Sequence, residues 1–337
     1  EWAWWKATVQ NRDDVVGIRA ATIMNPRIWE ASGHVAGFSD PMVECKKCHY
    51  SFRSDEEVKT CPECGGKEFA KPKQFNLMFQ THVGAAEGSE SVAYLRPATA
   101  GGIFVNFKNV AATHRLKIPF GIAQIGLAWR NEINPRDFVF RTREFKQMEL
   151  EYFVKPGEDE KKFEEWVKER FAWYQSIGLK NVRKREQEKE ERAHYSKATT
   201  DIEYEFPFGW QEIEGIANRG DFDLQAHAKA SKQDLTYFDE EVKERYLPYV
   251  IEPSAGVERI ALALMCEAYT EEKDRVVMKF HPTNTPIKAA VFPLLANKPE
   301  LVKKARGIYE DLRKEWNVAW DDRGNIGKRY RAQDEAG

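Results

Sequence analysis

Apolar positions along the chain change period several times, and the changes mark its elements. From 92 to 154 the pattern predicts strands. Ile103-Phe104-Val105, Phe120 to Trp129, Phe138-Val139-Phe140 and Met148 to Val154 are short apolar or alternating runs separated by Gly, Pro and Asn. Over 159–177 the period lengthens. Phe163, Trp166, Val167, Phe171, Tyr174 and Ile177 recur at helical spacings, which predicts an amphipathic helix ending at Gly178. The nearly all-charged stretch 181–194 reads as an exposed helix or loop, or as a contact with RNA. Strand returns over 201–216 and at Tyr249-Val250-Ile251-Glu252, followed by a turn at Pro253-Ser254-Ala255-Gly256 and a helix from Val257 to about Tyr269. After the charged joint at 271–274, a short strand lies within Pro286–Pro293. Pro299 then opens a helix with Leu301, Val302, Ala305, Ile308 and Leu312 on one face. One strand–helix unit cannot close a core by itself, so residues beyond Gly337 are expected.

Composition narrows the class. A chain of 337 residues has room for two or three domains. A formal net charge of -2 confines any nucleic-acid surface to a local patch. No apolar run approaches the ~18 residues of a membrane span. The start, Glu1-Trp2-Ala3-Trp4-Trp5-Lys6, lacks the order of a signal peptide and an initiator Met, as in a processed or trimmed chain. Four of the five cysteines fall in two Cys-x2-Cys pairs, a pattern of metal binding in a reducing compartment, so a cytoplasmic protein without membrane contact is expected. Cys266 reads as a buried small residue.

Cys45, Cys48, Cys61 and Cys64 lie in a lysine- and glutamate-rich module, 45–75, with Gly65-Gly66 beside the second pair. Four thiolates at this spacing predict a closed tetrahedral site for structural zinc, with iron or no metal as the alternatives. His34, His49 and His82 are not needed as ligands.

The strands also carry charge. Alternation puts Gln147, Glu149 and Glu151 on one side and Met148, Leu150 and Tyr152 on the other. Upstream, Arg130, Glu132, Arg136, Arg141 and Arg143 crowd one predicted hairpin around Asn134-Pro135-Arg136-Asp137. Guanidinium forks match phosphate oxygens. Downstream, Glu212 and Glu214 are expected to share a face, Arg219 follows, and Glu252 ends an apolar strand ahead of Ser254, Gly256, Glu258 and Arg259. Either a nucleotide-using enzyme or an ordinary charged surface accounts for this. The Gly-rich loops of the two commonest nucleotide folds are missing.

These segments resemble the signature motifs of class II aminoacyl-tRNA synthetases, of the dimeric glycyl type. The second motif is matched by Phe120 to Gly126 leading to Arg130-Asn131-Glu132-Ile133-Asn134-Pro135-Arg136 and Phe140-Arg141-Thr142-Arg143-Glu144-Phe145. The third is matched by Glu252-Pro253-Ser254-Ala255-Gly256-Val257-Glu258-Arg259, and the first, loosely, by the region ending near Pro26. Leu95-Arg96-Pro97, Gly102-Ile103-Phe104 and Glu214-Gly215-Ile216-Ala217 resemble glycyl-type segments, and the likeness runs from about residue 14 onward. It implies an α+β fold: a catalytic domain over 1–273 with a mostly antiparallel six-stranded sheet, flanking helices, the 45–75 zinc insertion and a helical insertion at 159–200. Residues 274–337 would be the first part of an α/β anticodon-binding domain.

The resemblance also implies the roles. Arg130 would hold the ATP α-phosphate, Arg259 the γ-phosphate, and Arg141 the bent triphosphate. Glu132 would meet the adenine side, Phe145 would stack on the base, and Glu212 would bind magnesium, with a neighbouring carboxylate as a second candidate. Glu149, Glu252 and Ser254 would surround the glycine ammonium and α-carbon, with Arg96 and Arg219 near its carboxylate. Catalysis would rest on Arg130, Arg259, Glu149 and Glu252. The expected partners are glycine, ATP, tRNA and a second copy of the chain, with residues before about 30 at the dimer interface. The chain departs from the family where Ala98 replaces Glu and Gly101 replaces Gln. The first change removes an acidic contact to the ammonium worth ~1.5–3 kcal/mol. The alternatives are a prolyl or threonyl relative, a non-catalytic tRNA-binding relative, or a zinc-dependent nucleic-acid module.

Overall fold

A computed structural model describes the chain apart from residues 55–58, 86–87, 89–90 and 194. Part of the 45–75 insertion and the last residue of the charged 181–194 stretch thus lie outside the described residues. The fold is built on a sheet of seven strands. In chain order, its strands and those of the insertion are β1 (Val15–Gly17), β2 (Ser39–Glu44), β3 (Ser51–Arg53), β4 (Lys73–Asn76), β5 (Phe120–Trp129), β6 (Glu144–Val154), β7 (Val182–Glu186), β8 (Ala198–Phe206), β9 (Gly209–Gly220) and β10 (Tyr249–Gly256). The large sheet has the order β1-β5-β6-β10-β9-β8-β7, and the small sheet of the insertion β3-β2-β4. The pairs β5/β6, β6/β10 and β10/β9 are antiparallel. The strand beyond the expected six is β1, three residues pairing in parallel with β5. Its Gly17 is required, because a Cβ there would stand 2.1 Å from the Trp5 ring.

The described helices of six or more residues are α1 (Pro26–Ala31), α2 (Ala100–His114), α3 (Asp159–Ser176), α4 (Phe222–Ser231), α5 (Val257–Ala268), α6 (Pro299–Leu312) and α7 (Ile326–Ala336). Helix α2 corrects the strand expected at Ile103-Phe104-Val105. Ile103, Phe104, Phe107 and Val110 recur at helical spacing and pack on Phe120, Ile122 and Phe153 of the sheet. The Phe107 and Phe153 rings lie 4.6 Å apart. Each such fully buried side chain contributes about 1.5–3 kcal/mol. This packing fixes β5 and β6, and with them the site.

Three other expectations change. Phe138-Val139-Phe140 is not a strand: Asp137 and Phe138 are both left-handed, at φ 57° and 56°, and form the tip of a loop closed by the Arg136–Arg141 bridge. Pro253-Ser254-Ala255-Gly256 is the end of β10, not a turn, because its residues keep pairing with β6 and β9. Part of the charged 181–194 stretch is strand β7, whose Arg185 reaches Asp201 at 2.9 Å and Glu203 at 2.9 Å. The predicted helices at 159–177, 257–269 and from Pro299 form as α3, α5 and α6.

The chain separates into two compact units. One comprises Glu1–Arg170, Lys184–Glu203 and Glu212–Ile260; the other comprises Phe171–Arg183, Tyr204–Gln211 and Ala261–Gly337. In the second unit, β11 (Ala289–Val291) pairs in parallel with β12 (Val318–Trp320) around Val291, Ala305 and Val318. That is two strands and two helices where the sequence pattern predicted one of each. Among the described residues no helix is long and apolar enough to cross a membrane.

Candidate active site

The first unit encloses a cleft of about 490 Å³. Its floor is one face of the sheet: Gln147 and Glu149 on β6, Ser254 and Glu252 on β10, and Gly215, Ala217 and Arg219 on β9. The two ends of the cleft differ in charge.

At one end stand Arg130, Arg141 and Arg259. Arg130 and Arg259 are braced mainly by neutral groups, Arg141 by a carboxylate. Arg130 donates from Nε to the Pro97 carbonyl at 3.1 Å and lies over the rings of Phe145 and Phe38, at 5.2 and 5.4 Å. Arg259 donates to the carbonyls of Phe140 and Glu212, at 3.2 and 3.0 Å, and lies 4.3 Å from the Phe140 ring. Arg141 bonds Glu132 at 3.2 Å, while its buried Nε has no acceptor among the described residues. Burial lowers the Arg259 pKa, with Arg130 and Arg141 pushing the same way against the attraction of Glu212. Carbonyl braces fix the forks without cancelling their charge, which leaves a positive pocket suited to a polyanion.

The other end is acidic and buried. Glu149 accepts from Thr99 Oγ1, and from Ser254 Oγ at 2.8 Å. Glu252 holds Arg219 Nη1 at 2.8 Å, and the same guanidinium grips Asp223 from Nε and Nη2, at 2.7 and 2.8 Å. Tyr195 covers this guanidinium at 3.7 Å. The register of β9 against β10 shifts between Asn218 and Gly220, which re-aims Arg219. Burial, opposed by Arg219 and reinforced by Glu149, pushes the Glu252 carboxyl up to about 7. A primary ammonium is the natural complement of such a pocket.

Most of the sequence-singled residues meet in this cleft: Arg130, Glu132, Arg141, Phe145, Glu149, Glu212, Arg219, Glu252, Ser254 and Arg259. Two placements depart from expectation. Arg96 is buried outside the lining, with its fork spent on the carbonyls of Leu127 at 2.6 Å and Ala20 at 3.0 Å. Glu212 and Glu214 do not share a face. Glu212 lines the cleft with Gly215, Ala217 and Arg219, whereas Glu214 does not. Glu214 instead meets Arg170 of α3 at 2.7 and 3.1 Å, the partner a fully buried carboxylate requires. Ala98 lines the cleft, and a side chain at Gly101 would strike Trp29 at 2.8 Å. Sequence reasoning missed Thr99, Asp223 and Tyr195. Only Asp223, four residues after Arg219 across the short turn from β9 into α4, left a signal.

Away from the cleft, the sulfurs of Cys45, Cys48, Cys61 and Cys64 all lie within 4.8 Å of one another, with Cys45–Cys64 at 3.7 Å and Cys48–Cys61 at 3.6 Å. Metal–sulfur bonds of about 2.3 Å in a tetrahedron demand sulfurs about 3.8 Å apart. Both pairs fold alike. His49 N–H returns to Cys45 O and Gly65 N–H to Cys61 O, each at 2.9 Å, with His49 and Gly65 left-handed. A Cβ on Gly66 would crowd two of the sulfurs, at 3.2 and 3.3 Å.

Comparison with known proteins agrees with this geometry. The tRNA synthetase class II core domain (G, H, P, S and T) matches residues 79–269. The glycine--tRNA ligase of Acetivibrio thermocellus is 52% identical, over 99% of this chain and 80% of that protein. Those of Streptomyces coelicolor and Geobacillus thermodenitrificans are 51% and 50% identical, each over 99% of this chain and 79% of theirs. With its motif arginines and acids gathered on an antiparallel sheet, the chain belongs to the class II aminoacyl-tRNA synthetases, in the family of the glycine--tRNA ligases.

Proposed function

We propose that this chain activates glycine with ATP and transfers it to tRNA, and that the cleft between its arginine end and its acidic end is where activation occurs. The observation that carries this reading is the pairing of three arginines, two of them braced largely by carbonyls and aromatic rings, with Glu149 and Glu252, which are held on the same sheet face by hydroxyls and Arg219. ATP and an amino acid zwitterion together present the complementary charges. Arg130 holds the α-phosphate, Arg259 the γ-phosphate and Arg141 the fold of the triphosphate, while Phe145 stacks on adenine and Glu132 meets its edge. Glu149, Glu252 and Ser254 receive the ammonium side of glycine.

The glycine carboxylate is already a nucleophile, so this step needs alignment and charge stabilisation rather than a general base. The carboxylate oxygen attacks the α-phosphorus, and pyrophosphate leaves between Arg130, Arg141 and Arg259. The 3′-hydroxyl of tRNA then attacks the carbonyl carbon, and AMP departs. Larger amino acids are excluded sterically, which is easier than excluding a smaller one. Arg219 is locked between Glu252 and Asp223 and orients Glu252. Arg96 braces backbone and is not assigned to the glycine carboxylate.

Glu212, half exposed on the cleft wall and 3.6 Å from Arg259, fits a magnesium ligand shared with phosphate oxygens, and the ion would neutralise phosphate charge. The thiol cluster fits structural zinc, since four cysteines leave no open coordination position. By the same resemblance the protein is a cytoplasmic homodimer with residues before about 30 at its interface, 1–273 form the catalytic domain, and 274–337 belong to an anticodon-binding domain. The prolyl, threonyl and non-catalytic alternatives are not favoured, since the similar proteins are glycine ligases and both motif arginines stand in the cleft.

The test is charging of unfractionated tRNA by the purified protein with each labelled amino acid in turn. Glycyl-tRNA alone is the expected product; charging with proline or threonine, or none by folded protein, would overturn the proposal.

A further inference from the structure

Behind the acidic end lies a carboxyl with no role so far. Glu151 is 0% exposed, and neither of its oxygens receives a hydrogen bond from any described donor. Its oxygens and those of Glu149 and Glu252 offer atoms all within 4.8 Å of one another. The ladder explains this. Ile251 pairs with Tyr152 and Ser254 with Glu149, so between them Glu252 stands opposite Glu151. Like charges directly opposite on one sheet face repel.

The three acids differ in their partners. Glu149 has two hydroxyl donors, and Glu252 has Arg219. Glu151 has none. The charged groups acting on it are Glu252 from β10, Arg219 from β9 and Glu149 from β6, and Asp223 and His227 from α4 and Tyr195 surround Arg219 behind them. Only Arg219 among them brings a fixed positive charge, and it already serves Glu252 and Asp223. His227 brings none near neutral pH, since burial lowers its pKa. An ionised Glu151 would be a third buried anion without a partner.

We propose that Glu151 is a positioning residue held as a neutral carboxylic acid, whose O–H donates to Glu252 and keeps that carboxylate ionised and aimed at the amino acid ammonium. This rests on the reading that Glu149 and Glu252 bind the ammonium. Burial first, then the charge of Glu252, raises the Glu151 carboxyl well above the ordinary carboxylate range, in the same direction.

The proton can be observed without substrate. At about pH 8.5, where ordinary carboxyls are ionised, the infrared spectrum of the substrate-free protein keeps one protonated-carboxyl C=O band, absent from Glu151→Gln. Glycine-dependent pyrophosphate exchange reads the role. Gln presents an N–H where the acid presents its O–H, so Glu151→Gln keeps the glycine KM within about threefold, whereas Glu151→Ala raises it about tenfold or more with the ATP KM unchanged. Absence of the band overturns the proposal. So does a Gln variant as impaired as Glu149→Gln, since that outcome means an ionised Glu151 touching the substrate. An Ala variant with wild-type KM also overturns it. If Glu149→Gln and Glu252→Gln leave the glycine KM unchanged while the band persists, the ammonium reading has failed and the positioning role fails with it; the proton assignment alone survives.

Discussion

The two ends of the cleft are built on opposite plans. At the arginine end, backbone carbonyls of Pro97, Phe140 and Glu212 aim guanidinium groups without neutralising them. At the acidic end, side chains hold side chains: Thr99 and Ser254 on Glu149, Arg219 on Glu252, Asp223 on Arg219. The first plan leaves net charge for a large polyanion and is insensitive to pH. The second buries charge deeply enough to discriminate a small cation, and so places a carboxyl where neutral pH titrates it.

The largest expected effect breaks the arginine end. Arg259→Ala or Arg130→Ala lowers glycine-dependent pyrophosphate exchange about 10²–10³-fold, the loss typical of one preorganised group at developing charge. Lysine at either position does not restore it, because the fork geometry is lost. Next comes the acidic end. Glu149→Gln raises the glycine KM about 10- to 100-fold, matching a charge-assisted hydrogen bond of about 1.5–3 kcal/mol, and leaves the ATP KM near wild type. Equal effects on both KM values would erase the division between the ends.

A pH profile sharpens the comparison. Glu252 titrates near 7 in the substrate-free protein, and only its ionised form can meet an ammonium. The glycine KM therefore rises as pH falls below 7, approaching about tenfold per unit, and is flat above it. The ATP KM, set by arginines, changes far less over that range. A glycine KM unaffected between pH 6 and about 8 would contradict the buried-carboxyl account. The smallest effect on exchange is expected from the thiol cluster. Chelation that strips zinc lowers Tm, by about 2–4 °C for each kcal/mol lost, while both KM values stay within about twofold.

Legibility in the sequence follows the same division. Arg130, Arg141 and Arg259 could be found because arginines in strand-like segments demand an explanation wherever they point. The thiol cluster was visible from spacing, since each Cys-x2-Cys knuckle closes locally. The acidic end was only half visible. Alternation put Gln147, Glu149 and Glu151 on one side, yet nothing in the period says that side is buried, and so Glu151 was given no role. Thr99 and Tyr195 reach the site through α2 and a loop, across sequence distances that no local pattern records. The reading of Glu212 and Glu214 as one face failed because Glu214 is claimed by Arg170 of α3, a contact that no local pattern records. Helix α2 was missed because Gly101-Gly102 looked like strand punctuation, whereas close packing on Trp29 and Ala20 requires both glycines.

The most direct test of the central claim is ATP–pyrophosphate exchange by the purified protein with magnesium and each amino acid in turn, in the absence of tRNA. The account predicts exchange with glycine alone, with Ala98 in place. Folded protein that binds ATP yet exchanges with no amino acid, or with another in preference to glycine, would contradict it.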